Sequence, residues 1–246
     1  MPESIDIHRL SLARGNKIDF LPVSRDAQSA NVNNADVLAC IRSERVIGIV
    51  RADAGDDLLA CAEALSLGGI NCLEVAMTTP AAIDSLEAAH QKFPRFHFGL
   101  GTVLDVDTAR RAILAGASFM VTPAPRPAVI TLCRRYHVPV ISGAFTLMDI
   151  TSAYEAGADA VKVFPGDQFG PAYVRTLKEA HAAGVLIPIG GVTPTTVAEF
   201  LHAGATAVFA GNALIDDEVL TARRWRQITA RAQMFVRATQ TSERSE

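Results

Sequence analysis

The sequence is poor in the residues that would bring a disulfide, a metal or a membrane into the argument. It has four cysteines, Cys40, Cys61, Cys72 and Cys133, and none stands in a CxxC pair or with a histidine at metal-ligand spacing. Each lies in an apolar helix-like or strand-like context, so buried, reduced thiols in a cytoplasmic protein are expected. The six histidines are scattered, and no His/Asp/Glu cluster has ligand spacing, so no metal is expected. No apolar run is long enough to span a bilayer. Residues Met1 to Leu10 carry acids and a histidine early and lack the apolar centre of a secretory signal. The net charge of −3 argues against nucleic acid or an anionic membrane as partner. There is no GxSxG for a hydrolase, and no GxGxxG after the first strand-like run for a dinucleotide.

What is present is a rhythm. The chain has 246 residues, 49% hydrophobic and 20% charged, enough for one large domain or two small ones. Residues 1–34 show no regular pattern. Ser24 to Asn34 is rich in Ser, Asn, Asp and Ala and reads as a linker. The segment before it, with Phe20 and Leu21, reads as a disordered tail or as an arm that docks on a neighbour. Asn34 is placed to cap a short helix through Arg42. Short apolar strands are then expected at Val46–Arg51, Cys72–Met77, Phe96–Thr102, Phe119–Pro123, Val138–Ser142, Ala160–Pro165, Leu186–Gly191 and Ala207–Gly211. Helical patterns lie between them, several stopped by glycine at Gly68–Gly69, Gly116, Gly157, Gly184 and Gly204. Thr193, with Pro194 at the first turn, is placed to cap the helix after the seventh strand. A last helix is expected from Asp217 to Thr239. Alternating units of this number and length fit an α/β fold, a single (β/α)8 TIM barrel over residues 35–246 with an N-terminal extension. A doubly wound open sheet is the runner-up.

In such a barrel the chemistry sits at the C-terminal strand ends. The polar residues expected there are Arg51, Glu74, Thr102, Thr122 beside Pro123, Ser142 and Lys162, then Gly190–Gly191 and Gly211–Asn212. Lys162 stands out, because of the four lysines it alone lies inside a strand, Ala160–Pro165. Lysine is seldom fully buried without a reason, and burial favours the neutral amine that attacks a carbonyl. Glu74 is the second oddity, an acid within Leu73–Glu74–Val75. Both side chains can point into one lumen. A structural ion pair is the plain reading, and it can be close to neutral for stability. The functional reading is an imine-forming lysine with a carboxylate that moves protons. Gly190–Gly191, ahead of a helix, and Gly211 fit a phosphate position, with Arg51 adding positive charge.

Taken in order, several short runs resemble one family. They are Val50–Arg51, Gly68–Gly69–Ile70, Leu73–Glu74–Val75 through Thr79–Pro80, Gly99 to Leu104, Val121–Thr122–Pro123, Val161 to Pro165 and Gly190–Gly191–Val192. Over about Ile41 to Ile215 the chain resembles the class I 2-keto-3-deoxy-6-phosphogluconate (KDPG) and 4-hydroxy-2-oxoglutarate (KHG) aldolases. Phe164–Pro165, Phe169–Gly170–Pro171 and Tyr173 are most similar to the 2-keto-3-deoxy-6-phosphogalactonate branch. The resemblance implies a pyruvate-dependent aldolase with Lys162 as imine lysine and Glu74 as proton shuttle. It implies anion binding at Arg51, carboxylate binding at Thr102, and a pocket shaped by Pro123 and walled by Phe164. It also implies phosphate loops at Gly190, Gly191 and Gly211, a homotrimer and no cofactor. The substrates implied are pyruvate with glyceraldehyde 3-phosphate or glyoxylate. Three residues depart from the family pattern. Thr78 stands where gluconate-type members carry Arg, Ser142 where Pro is usual, and Asn212 where Ser usually contacts phosphate. A phosphate-binding barrel isomerase or decarboxylase, and a non-catalytic sugar-phosphate-binding barrel, are the other classes the residues leave open.

Overall fold

Parallel strands buried on both faces need apolar side chains on both, and that is how these strands read. The computed structural model describes residues 34–52 and 55–241. The extension expected over residues 1–34 lies outside them, apart from Asn34. The described chain opens with α1 (Asn34–Glu44), β1 (Val46–Val50), α2 (Gly55–Leu67) and β2 (Cys72–Ala76). It continues through α3 (Ala82–Lys92), β3 (His97–Gly101), α4 (Val106–Leu114), β4 (Phe119–Thr122) and α5 (Pro127–Arg135). Then come β5 (Val140–Ala144), α6 (Leu147–Ala156), β6 (Ala160–Val163), α7 (Gly166–Ala180) and β7 (Leu186–Pro188). The last elements are α8 (Val197–His202), β8 (Val208–Ala210), α9 (Asp217–Thr221) and α10 (Trp225–Thr241).

Each strand pairs in parallel with the next, from β1 to β7, and β8 pairs with β1. A bridge between Ile189 and Phe209 joins the two ends. The result is the expected (β/α)8 barrel. Side chains alternate across each strand, and the apolar residues divide accordingly. Ile47, Ile49, Cys72, Phe119, Val121, Ile141, Ala160, Ile187, Ala207 and Phe209 form one buried cluster with Val37 and Ile41 of α1. This is the lumen, and α1 closes its N-terminal end, one residue ahead of β1. The alternate residues, such as Val50, Leu73, Val75, Leu100, Met120 and Val161, pack under the helices.

Several boundaries differ from the expected ones. The fifth strand is Val140–Ala144, two residues later than read, because Val138 donates its N–H to Cys133 and belongs to the preceding turn. The seventh and eighth strands are only three residues each. After β7, Thr193 to Thr196 form a turn and α8 begins at Val197. The last helix is broken into α9 and α10 around Arg223, whose φ is 49°.

Candidate active site

Lys162 shares its strand face with Ala160, and Glu74 shares its face with Cys72, both of which line the lumen. The alternation therefore sends both charged side chains inward. They meet there: Nζ of Lys162 donates to Oε2 of Glu74 at 2.9 Å and to Oε1 at 3.2 Å. The pair is largely withdrawn from water, with side-chain exposure of 15% for Lys162 and 3% for Glu74. Nζ also lies over the ring of Phe209, 4.6 Å from its centroid. Glycine makes the room for the acid. A Cβ at Gly101, on neighbouring β3, would run into Oε1 of Glu74.

The other expected residues lie at the same end of the barrel, one to three residues beyond their strands. Thr102 follows β3 and is exposed, with φ of 62°, a left-handed conformation that a β-branched residue seldom takes. Its flanks hold it there. Gly101 O accepts from Met77 N, and Val103 N donates to Val121 O. Strain maintained in this way is typical of binding sites. Pro123 follows β4 and is exposed, and Phe164 follows β6 with 59% exposure. Gly190 and Gly191 have φ of 101° and 66°, so the turn after β7 requires glycine-like backbone. This turn lies against Asp167 near the start of α7: a Cβ at Gly190 would stand 2.9 Å from Oδ1 of Asp167. Gly211 follows β8 and accepts from Leu214 N and Ile215 N, with open space where its side chain would be. Asn212 beside it is exposed.

Arg51 is exposed at the end of β1, where it lines a cavity of about 490 Å³ with Asp57 of α2 and Asp217, Leu220 and Arg223 of the α9 region. Arg223 is tied there to Asp57 at 3.0 Å. Lys162 and Glu74 do not line that cavity. Thr122 and Ser142 are brought to each other instead of to the lumen. By alternation with Val121 and Ile141 they face the helices, where both are fully buried and Thr122 Oγ1 donates to Ser142 Oγ at 3.5 Å.

The thiols are poor competitors for the role of nucleophile. All four are free. Burial pushes Cys40, Cys61 and Cys133 up to about 12, with Glu44, Asp57 and Asp159 respectively adding to the effect. Cys72 is raised well above 9.0, again chiefly by burial. They stay protonated near neutrality, and the thiolate is the reactive form. Among the described residues no group of three His, Cys, Asp or Glu could hold a metal ion. No described helix is long and apolar enough to cross a membrane.

Two features of the site escape a reading of the sequence. Phe209 looks like ordinary core, and only its strand parity with Ala207 and Gly211 would have placed it in the lumen. Asp167 looks like a surface acid that follows a strand.

Fold and site together define a (β/α)8 barrel with an amine–carboxylate pair near the C-terminal end of its lumen, the arrangement that imine chemistry needs. Comparison with known proteins gives the family. The family model "KDPG and KHG aldolase" matches residues 37–231. A 2-dehydro-3-deoxy-phosphogluconate aldolase of Treponema pallidum is 31% identical over 198 residues, covering 80% of this chain and 94% of that protein. A 2-dehydro-3-deoxy-6-phosphogalactonate aldolase of Escherichia coli K12 is 30% identical over 171 residues, covering 69% and 83%. Among solved structures, KDPG aldolase from Legionella pneumophila superposes with a TM-score of 0.75 at 25% identity, covering 82% of this chain and 97% of that one. That structure holds pyruvate captured at low pH as a covalent carbinolamine intermediate. The chain belongs to the KDPG and KHG aldolase family, a family of carbon–carbon lyases.

Proposed function

We propose that the chain is a Schiff-base aldolase that reversibly cleaves a 2-keto-3-deoxy-6-phospho sugar acid, of gluconate or galactonate type, to pyruvate and glyceraldehyde 3-phosphate. The observation that carries this reading is the lumen pair, Lys162 Nζ against both carboxylate oxygens of Glu74. The neutral amine adds to the C2 carbonyl, and the carbonyl oxygen takes a proton. Loss of that oxygen as water leaves an iminium cation. The iminium draws the C3–C4 bonding pair as the C4 hydroxyl gives up its proton, and an enamine and an aldehyde form. Protonation at C3 and hydrolysis then release pyruvate. Each step moves a proton, and Glu74 is within reach of Nζ to move it. Thr102 is proposed to hold the substrate carboxylate, Phe164 and Pro123 to wall the pocket, and Arg51 with Gly190, Gly191, Gly211 and Asn212 to receive the phosphate.

The test is to incubate the protein with pyruvate, reduce with borohydride and map the modified peptide. Modification of Lys162 is expected, and modification elsewhere or none overturns the reading. A panel of retro-aldol substrates scored by pyruvate release then separates the branches.

One observation favours a second substrate. Asp167 sets a negative charge against the Gly190–Gly191 turn, which opposes a phosphate there. 4-Hydroxy-2-oxoglutarate is shorter, carries no phosphate and needs no contact with that turn, and its cleavage would give pyruvate and glyoxylate.

A homotrimer is part of the proposal. Phe145, Leu147, Met148 and Phe169 are large apolar residues exposed just after β5 and β6, and patches of this kind mark interfaces. Sedimentation at micromolar concentration should give three times the chain mass, and a monomer would remove this part. The four free thiols fit the cytoplasmic location expected from the sequence.

A further inference from the structure

We infer that Phe209 sets the balance between iminium and enamine on Lys162, by holding the cationic nitrogen over its ring face. The inference rests on the Schiff-base reading above and adds a residue to it. Phe209 is fully buried, and its strand is fixed on both sides, by pairing with Ile47 of β1 and by the bridge to Ile189 that closes the barrel. Its ring is therefore a rigid floor. Nζ of Lys162 lies over that floor at 4.6 Å from the centroid, with Glu74 as its hydrogen-bond partner. A cation at this distance is attracted by the negative face of the ring, more strongly when water is excluded.

The charge on nitrogen changes during the cycle, and the attraction changes with it. Ammonium and iminium are both cations, so exchanging one for the other conserves the contact. The iminium becomes a neutral enamine when it loses a proton from C3, or when the C3–C4 pair moves toward nitrogen during cleavage. The ring favours the iminium over that neutral form. It therefore opposes enamine formation and favours the return of a proton to C3, the step that leads to pyruvate release. Glu74 can serve both directions, because it is on hand to accept or return the proton. The ring acts only on the difference in charge.

The test varies the ring's electron density at nearly constant shape. Phe209 is replaced by mono-, di- and trifluorophenylalanine in the full chain, each fluorine weakening the negative ring face. Two quantities are measured with pyruvate alone. One is the fraction of Lys162 trapped by borohydride, and the other is the rate of C3 hydrogen exchange into deuterium oxide. The exchange rate per trapped imine should rise stepwise along the series, by about two- to tenfold in all. A flat series, or a fall, overturns the inference and leaves Phe209 as packing. Phe209→Leu provides a second arm, since it removes the ring but stays apolar. It should raise exchange per trapped imine as the trifluoro variant does, whereas mere misplacement of Lys162 would lower it. Absence of trapping in the unaltered protein would instead overturn the Schiff-base reading, and is seen before any variant is made.

Discussion

Glu74 is held from several sides. Its strand pairs with Ile49 and Gly99, its two oxygens accept from Lys162, and Gly101 leaves the space it occupies. Removing one partner of a buried pair outright would cost about 3–5 kcal/mol. Glu74→Gln is milder, because the amide oxygen still accepts from Nζ. The barrel should fold, as read by circular dichroism, and turnover should fall roughly 10²–10⁴-fold, the usual loss with a general acid–base. Near-normal turnover would leave Glu74 as an ion-pair partner only. Gly101→Ala probes the same carboxylate without touching it chemically. The added methyl must displace Oε1, so kcat should fall in the direction of Glu74→Gln while the fold persists. Full activity in that variant would show that the carboxylate position does not matter.

At the level of elements, the loops above the strands are fixed by short polar motifs. Thr146 and Asp149 form a capping box at the start of α6, and Asp149 Oδ2 also accepts from Phe145 N. The Thr146 N–H, and then its hydroxyl, hold the Asp149 carboxyl below its ordinary value of 3.8. A group whose pKa is depressed on folding stabilises the fold above its unfolded value, and this is lost as pH falls through the folded value. Asp149→Ala should therefore cost about 0.5–2 kcal/mol at pH 7, in the range of other helix caps. The gap to wild type in urea melts should close as pH drops below about 4. A gap independent of pH would mean that packing, not charge, accounts for the loss. The strand rhythm was legible because parallel strands covered on both faces must be apolar throughout. Lys162 and Glu74 were legible as breaches of that rule. The start of β5 was misplaced because Val138–Pro139 is as apolar as the strand, whereas Ser142–Gly143–Ala144 is not. The break between α9 and α10 was missed because no Gly or Pro marks Arg223. The roles of Gly101 and Phe209 depend on side chains that reach them from other strands, Glu74 and Lys162, which spacing along one strand does not reveal.

For the whole molecule, the described barrel starts at α1, whose Val37 and Ile41 are part of the lumen cluster. Every residue assigned to the site follows α1. A chain that begins at Asn34 keeps those contacts and should retain kcat. If that chain is soluble but inactive, the first 33 residues contribute to a site. Binding of the substrate's far end depends on two charges from opposite parts of the chain, Arg51 and Asp167. Arg51 follows β1, next to β8 and Gly211. Asp167 lies in the first turn of α7, against Gly190. Two unit charges roughly 5 Å apart attract or repel by about 3 kcal/mol at an effective dielectric near 20, and exposure to salt water reduces this to about 1 kcal/mol or less. Each charge should therefore shift substrate preference by about tenfold at most, and in opposite directions. The measurement is kcat/KM for phosphorylated and unphosphorylated forms of one 2-keto-3-deoxy sugar acid. If the phosphate binds at the Gly190–Gly191 and Gly211 turns, wild type should prefer the phosphorylated form. Arg51→Ala should shrink that preference, and Asp167→Asn should enlarge it. Raised salt should weaken both effects. Equal efficiencies in wild type, unmoved by either substitution, would remove the phosphate assignment and promote 4-hydroxy-2-oxoglutarate as the substrate.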